Sequence, residues 1–482
     1  MKKREISSLI CFLMLILIII MDNPIFLPNQ VLVAADLKIY FDSIGLLIGA
    51  YTIINGIFII ISGYLTDKYE RKLLLIVSGF TWSTTVIFYL FITQYWQLFL
   101  GRMLAAIATG FTTPVTISYI ADMVSQKSRS KSFAIWGLIS TLASVFASIF
   151  ALSFNTIDFE SISGLSINEK INYIRTNFPN QLYTWKLPYL LLGITALIIT
   201  TISIFLTVEP KRGSKDLYLK ESLSDEMVKY TYKIRLSDFK NLFKRKSNIF
   251  LTINFFDVVA SGLLLAYIFP YIELEIGINV IDARVLVLLL FAGIFGLFLG
   301  QFILAHWGDK KVQKGDVSGR VKVAVICSIL TLPFLLIAFS MSPNATNDTF
   351  FFNAVKVNDI GFWILWIVYC SFLGIGLAFT MGIGPNWYSS LIDLNLPENR
   401  GSIVAIGSFV DSIGRSMGAI MGGFIVHATQ SFSATIFWST LIFGILSIFL
   451  WVPLFYTTPK DFEYIHNILK ERSLNLKEQR ND

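Results

Sequence analysis

Histidine and cysteine are scarce in this chain, three of each among 482 residues. Cys11, Cys327 and Cys370 all fall inside apolar runs, so no disulfide framework is indicated. His306, His427 and His466 are far apart and no HExxH occurs, which leaves little from which to assemble a histidine metal site or a catalytic triad. A GxxxxGK phosphate loop followed by Ser or Thr is missing too, so this chain does not hydrolyse ATP, and the energy for any pumping comes from a gradient or a partner. Charge is sparse: Asp, Glu, Lys and Arg make up 15% of the residues, against about 25% in an ordinary soluble domain.

Apolar residues are present in excess, at 55%. They recur in runs of roughly 18 to 25 residues, each long enough to cross a hydrocarbon core about 30 Å thick. Twelve helices are predicted, over 7–34, 44–66, 72–93, 95–123, 131–154, 185–208, 248–275, 280–306, 321–341, 361–390, 401–427 and 434–457. The fold class is therefore an all-α membrane protein. Of the 39 Lys and Arg, 31 fall on one alternating set of segments: the first four residues, 67–72, 124–131, 209–247, 307–322, Arg400 and the tail after Thr458. The other set holds only Lys38, Lys170, Arg175, Lys186, Arg284 and Lys356. Positive-inside bias then predicts a multi-pass protein of the cell membrane with both termini in the cytoplasm. The net charge of +7 comes from loops facing anionic lipid and gives no argument for nucleic acid. Lys2-Lys3-Arg4 ahead of an apolar run has the form of a signal peptide, but the run continues through a proline-containing stretch to Val33 and eleven more follow, so a first spanning helix is expected.

The charged segment 209–247 divides the chain into an N-terminal six-helix half, 1–208, and a C-terminal one, 248–457, with a cytoplasmic tail, 458–482. The halves echo each other. The second run ends Leu65-Thr66-Asp67-Lys68-Tyr69-Glu70-Arg71-Lys72 and the eighth ends Leu304-Ala305-His306-Trp307-Gly308-Asp309-Lys310-Lys311, with leucine, acid and basic pair in step 239 residues apart. Pro114, Asp122 and Arg129 recur as Pro385, Asp393 and Arg400, each shifted by 271. Two echoes at equivalent helices predict a parallel six-plus-six repeat, an arrangement that puts a substrate site near the midplane between halves.

The stretch 63-GYLTDKYERK-72 resembles the signature loop between the second and third helices of the major facilitator superfamily, with Gly63, Leu65, Asp67, Arg71 and Lys72 matching. Lys68 replaces an arginine, and Glu70 stands where the family usually has glycine. Arg102 with Gly110, Asp122 with Arg129, and Trp185-Lys186-Leu187-Pro188-Tyr189 resemble further motifs of that family. Tyr64, Tyr69 and Met21-Asp22 resemble its spinster-type branch, whose members are associated with lipid-like substrates, although Thr109 stands where that branch usually has Glu. The resemblance implies the major facilitator fold, two six-helix bundles, and a transporter rather than an enzyme. The family's antiporter motif is absent from the fifth run, which has Ser140, Ser144, Ala147 and Ser148 but no Gly-Pro pair.

Physics adds roles to these positions. Gly63 would allow a close helix approach, and Asp67 suits the positive end of a helix, such as the one beginning at Arg400. That contact would latch the halves on the cytoplasmic side, with Arg71 pairing Asp122 as a second clasp. Lys72, Arg129, Asp309 and Asp393 complete the cytoplasmic gating set. The structural alternative is that these charges only solvate loops and set topology. Charges within helices must be paired or face a wet cavity. Asp22 and Arg102 fall at one depth in the N-terminal half and form the favoured functional pair. Asp411 and Arg415, four apart on one helix face, either neutralise each other or face substrate, and Asp257 is either functional or interfacial. Thr109 and Tyr267 join the cavity candidates; Tyr51, Asn55, Trp387 and Tyr388 could also line one, though packing is the simpler role. Gly414, Gly418 and Gly422 form a stripe suited to close helix packing.

The expected function is a secondary active transporter moving a small organic molecule, neutral, cationic or amphiphilic, by alternating access as a monomer. Proton coupling through Asp22 and a uniporter in which Asp22 carries no proton both stay open. A non-transporting sensor or scaffold with 209–247 as its output is the alternative of a different class. No cofactor, metal or nucleic-acid partner is expected; the partners are the substrate, the bilayer and, under coupling, protons.

Overall fold

The computed structural model describes residues 3–123, 126–157, 159, 162, 165–209, 243–278, 280, 282–341, 349–350, 355–356, 359–396 and 400–478. Most of the link predicted at 209–247 lies outside them. The chain divides into two compact units, Met1–Thr231 and Tyr232–Asp482. Among the described residues, eleven helical spans are long and apolar enough to cross a membrane. They coincide with eleven of the twelve predicted runs. The remaining run falls on a helix over Gln126–Leu152, whose described apolar part is Ile139–Leu152. The protein is thus a nearly all-helical, multi-pass integral membrane protein.

In the first unit the helices are α1 (Lys3–Ile20), α2 (Asp22–Phe26), α3 (Gln30–Asp36), α4 (Phe41–Lys68), α5 (Arg71–Phe88), α6 (Tyr95–Gly110), α7 (Thr112–Met123), α8 (Gln126–Leu152), α9 (Ile167–Asn177) and α10 (Lys186–Leu206). Helix α10 shows how a span is built for lipid. Leu191, Ile194, Ile198, Ile202 and Phe205 recur at three- and four-residue spacing and are exposed, while Tyr189, Gly193, Ala196, Thr200 and Ser203 on the other face are buried. Its threonine hydroxyls satisfy themselves inside the helix, Thr200 Oγ1 donating to Ala196 O at 2.6 Å. Gly110 lets α6 approach α4 closely: a Cβ there would lie 3.1 Å from Asn55 O.

The amphipathic α9 was not among the predicted helices. A reciprocal capping box starts it, with Glu169 N donating to Ser166 Oγ and Ser166 N donating to the Glu169 carboxylate. It seats Ile167, Ile171 and Ile174 in the interior, and Arg175 Nε donates to Ala35 O at 3.1 Å.

The second unit contains α11 (Lys246–Ile253), α12 (Phe256–Pro270), α13 (Ala283–Phe298), α14 (Ala305–Gln313), α15 (Gly319–Ser340), α16 (Asp359–Asp393), α17 (Arg400–Thr429), α18 (Phe432–Trp451) and α19 (Leu454–Glu478). π-Helical turns extend α12 over Tyr271–Ile276 and join α13 to α14 over Leu299–Leu304. A two-residue antiparallel pair, β1 (Thr349–Phe350) with β2 (Val355–Lys356), is the sole sheet among the described residues. The glycine stripe of α17 packs on α12: a Cβ at Gly414 would lie 2.6 Å from Phe255 O, and one at Gly422 would lie 2.8 Å from Tyr267 Cε2. Only a residue without a side chain allows backbones this close.

Candidate functional site

Pro24 and Pro28 lack amide hydrogens, so carbonyls one turn before each lose their usual helical donor. Helix α1 accordingly stops at Ile20, and a turn at Met21 opens α2. Side chains supply further donors around the break: Ser148 Oγ donates to Pro24 O at 3.0 Å, and Tyr189 OH donates to Asp22 O at 3.2 Å. At this break the Asp22 side chain is fully buried.

Arg102, equally buried on α6, meets it through an Nη1 hydrogen bond to Asp22 Oδ2. Trp82 Nε1 donates to the other carboxylate oxygen at 3.0 Å, and Arg102 Nη2 donates to Asn23 Oδ1 at 2.9 Å. The guanidinium carbon lies 4.4 Å from the centroid of Phe26 and 4.0 Å from that of Tyr51. Tyr51 OH and Thr109 Oγ1 are 3.0 Å apart, and Asn55 Nδ2 donates to Thr109 Oγ1 at 2.8 Å. Taking two ions out of water is expensive and is offset only when geometry and supporting hydrogen bonds are good. Here both carboxylate oxygens are bonded and the cation is faced by two rings. The cluster is neutral as a whole, so a proton or ligand that takes Arg102 from Asp22 must itself replace the lost partner.

The residues expected to gate the cytoplasmic side divide between described and undescribed side chains. Those of Asp67, Asp122, Arg129 and Arg400 lie outside the described residues. Arg71 is fully buried: Nε donates to Glu209 Oε1 at 2.9 Å and Nη1 to Ser118 O at 3.1 Å. Lys72 contributes its backbone amide to Glu209 Oε2 at 2.9 Å and its Nζ to Ile204 O at 2.7 Å. Glu209 therefore ties the start of α5 to the end of α10. Gly63 shows no close approach within its own unit, because a Cβ there would meet nothing within 4 Å. In the second unit Asp309 and Asp393 share one cation, Arg320 at the start of α15, whose Nη2 donates to Asp309 at 2.7 Å and whose Nη1 pairs with Asp393.

The charges within the helices of the second unit are arranged differently from the Asp22 cluster. Among the described residues no ion pair joins Asp411 to Arg415; Arg415 is exposed and Asp411 half-buried. Helix α12 approaches Arg415 at Gly262, where a Cβ would lie 2.6 Å from the Arg415 Cα. Asp257, in the first turn of α12, lines a recess with hydroxyl side chains from three other helices. Tyr267 is a packing residue: it is fully buried, and its OH donates to Ala419 O at 2.7 Å, joining α12 to α17. Trp387 likewise packs, donating from Nε1 to Leu251 O at 2.7 Å, whereas Tyr388 is exposed and bonds Ser408.

Residues 11–383 match the family model of the major facilitator superfamily. The chain belongs to that superfamily. Among curated proteins it is 36% identical to the tetracycline resistance protein, class H, of Pasteurella multocida over 93 residues, 19% of this chain and 23% of that protein. The chain spans about a fifth to a quarter of the length of the curated relatives it matches. Its fold is similar to that of a bacterial homologue of the human lysosomal transporter Spinster, inward-facing and unoccupied, with a TM-score of 0.68 and 16% identity over 96% of this chain and 99% of that one. The nucleoside transporter NupG aligns with a TM-score of 0.56 and 14% identity over 93% of this chain and 98% of that one.

Several groups that build the facilitator's site escaped prediction. Trp82 and Tyr189 bond Asp22, yet in a chain with 15% aromatics nothing in the sequence sets Trp82 apart from lipid-facing rings, and Tyr189 stood out only as part of the Trp185–Tyr189 motif, not as a partner of Asp22. Glu209 and Arg320 carried a usable signal, being charges at the edges of apolar runs opposite the motif loops. Among the described residues no group of three or more His, Cys, Asp or Glu could hold a metal ion.

Proposed function

We propose that this facilitator is a secondary active transporter that moves a small organic molecule, amphiphilic or lipid-like, by alternating access, with Asp22 as the proton-coupling residue. One observation carries the proposal: a fully buried carboxylate at a helix break is held by a single cation, Arg102. An intramembrane pair of this kind marks a transport pathway by its cost. Coupling follows if Arg102 leaves Asp22 in one state of the cycle, because the stranded carboxylate then takes a proton. The phenolic and hydroxyl edges of Tyr51 and Thr109 beside the pair offer a substrate hydrogen bonds. In the same proposal the two halves are the bundles 1–208 and 248–457, the termini are cytoplasmic, the membrane is the cell membrane and the chain works as a monomer. Asp67 latches the cytoplasmic side against the helix that begins at Arg400. The motif residues and the distribution of Lys and Arg support these points.

A uniporter is favoured by one feature, that both Asp22 oxygens are already bonded. Proteoliposomes loaded with a mixed metabolite pool separate the two. Under coupling, a pH gradient drives accumulation, and Asp22→Asn abolishes accumulation while retaining exchange of substrate across the membrane. Gradient-driven accumulation by Asp22→Asn equal to that of the parent protein would remove Asp22 from the mechanism.

A further inference from the structure

Helix α14 continues the span Val285–Gln313 and ends it in charge. One of its faces is turned inward, since Gly308 is buried and a Cβ there would collide with Asn386 of α16. Another face carries Trp307, Lys310, Lys311 and Lys314, which recur at three- and four-residue spacing and so form one stripe. Phe302 and Ile303 precede them in the π-helical turn and are 61% and 49% exposed, and Trp307 is 38% exposed. Lys310 and Lys314 are exposed as well, and Lys311 Nζ lies 5.1 Å from the centroid of the Trp307 ring. Hydrocarbon, then indole, then cations is the order of layers met on leaving a bilayer. At about 1.5 Å per residue the lysines lie roughly 4.5 to 10 Å beyond Trp307, and a headgroup layer is roughly 5 to 8 Å deep.

The acids nearby are already engaged. In residues 299–316 they are Asp309 and Asp316; Arg320 holds the first at 2.7 Å and Lys322 the second at 2.7 Å. Lys310, Lys311 and Lys314 form no ion pair among the described residues. The matching place in the first unit, 239 residues earlier, is built otherwise: Arg71 is buried against Glu209, and Lys72 Nζ donates to Ile204 O. A bias of basic residues towards one side of a membrane needs charge alone. Lysines left unpaired beside an exposed indole are fitted, beyond that, to hold an anion at the membrane surface.

We propose that this face of α14 binds an anionic phospholipid, with the three lysines meeting its phosphate, Trp307 at the level of its ester groups, and Phe302 and Ile303 along its chains. A soluble phosphate compound would use the lysines but gain nothing from the exposed apolar residues ahead of them, whereas a lipid uses both. This binding stands apart from coupling at Asp22 and is measured without transport.

The test uses the full-length protein in phosphatidylcholine vesicles that also contain either phosphatidylglycerol or phosphatidylcholine with brominated chains, which quench a tryptophan they touch. The difference between the parent protein and Trp307→Phe isolates the signal of Trp307. Brominated phosphatidylglycerol is expected to quench Trp307 at lower mole fractions than brominated phosphatidylcholine, and added salt is expected to narrow the gap. Lys310→Gln, Lys311→Gln and Lys314→Gln are each expected to weaken the preference about fivefold, the equivalent of about 1 kcal/mol per lysine near an anionic surface. The triple variant is expected to lose the preference while phosphatidylcholine still quenches, and the single variants keep the question answerable if it fails to fold. Equal quenching by the two lipids in the parent, no quenching by either, or a preference undiminished in the lysine variants would overturn the proposal. So would loss of the preference to added inorganic phosphate at constant ionic strength, which would mark a site for a soluble anion.

Discussion

Asp36 and Glu275 stand 239 residues apart, the shift that also relates Leu65 to Leu304, and they do one job in the two halves. Asp36 closes the first span of its half, accepting from Trp185 Nε1 at 2.8 Å and facing Lys186 Nζ at 3.4 Å, where the last span begins. Glu275 closes the first span of the second half and accepts from the amides of Phe432 and Ser433, the start of that half's last span. An acid on the opening helix thus captures the beginning of the closing helix twice. The membrane interiors do not repeat in this way. Asp22 is matched by Arg102, Trp82 and aromatic faces, whereas Asp257 has no ion pair among the described residues and lines a largely apolar recess. The ties that hold each bundle together are common to both halves, and the charges within them are arranged differently.

The largest effect expected from this contrast is at Arg102. Arg102→Ala strips the buried Asp22 of its cation, a change that costs about 3–5 kcal/mol, whereas Arg415→Ala removes an exposed cation without an ion pair among the described residues and falls within about 0.5 kcal/mol. Denaturation of the purified variants in one detergent measures both. Equal losses would mean that the two halves handle their buried charges alike.

Why some of this was legible from sequence and some was not follows from the same physics. Spans announce themselves because lipid demands about 20 apolar residues in succession, and the basic loop residues at Arg71 and Lys72 stand out against them. Partner identity is harder, because a buried cation takes whichever acceptor the packing brings near: Arg71 was expected to meet Asp122, and the structure shows Glu209 as a partner. The break at Met21 was signalled by Pro24 and Pro28, but which side chains would bond the carbonyls around it depends on α8 and α10, far away in sequence. Helix α9 carried its own signature, Ser166 and Glu169 at capping spacing ahead of Ile171 and Ile174. Its short amphipathic pattern is overlooked when only membrane-length runs are sought.

The acid ties give a middle-sized effect that sharpens the comparison. Glu275 holds two backbone amides at a helix start, so Glu275→Gln is expected to cost about 2 kcal/mol. Asp36 holds an indole and a lysine at longer range with its side chain 21% exposed, and Asp36→Asn is expected to cost about 1 kcal/mol. Measured on the same denaturation curves, a larger loss at Asp36 than at Glu275 would show that the repeat is one of position only.

The smallest effect concerns the place where the halves differ most in length. The second half passes from α17 to α18 through Gln430 and Ser431 alone, while the first inserts α9 between α8 and α10. Helix α9 is held at its start by Glu169, which accepts from the amide and hydroxyl of Ser166, each at 2.8 Å. Those hydrogen bonds favour the ionised carboxylate and lower its pKa below the ordinary value of 4.5. A depressed carboxylate stabilises the fold above its unfolded pKa and loses that contribution as pH falls through the lower, folded value. Hydrogen exchange over 166–177, corrected for intrinsic rates, is therefore expected to show protection constant above pH 4.5 and declining below it. Glu169→Gln should lower protection at neutral pH and remove the acid dependence. If Glu169→Gln is as protected as the parent at neutral pH, the seating of Ile167, Ile171 and Ile174 holds α9 in place and the capping box adds nothing measurable.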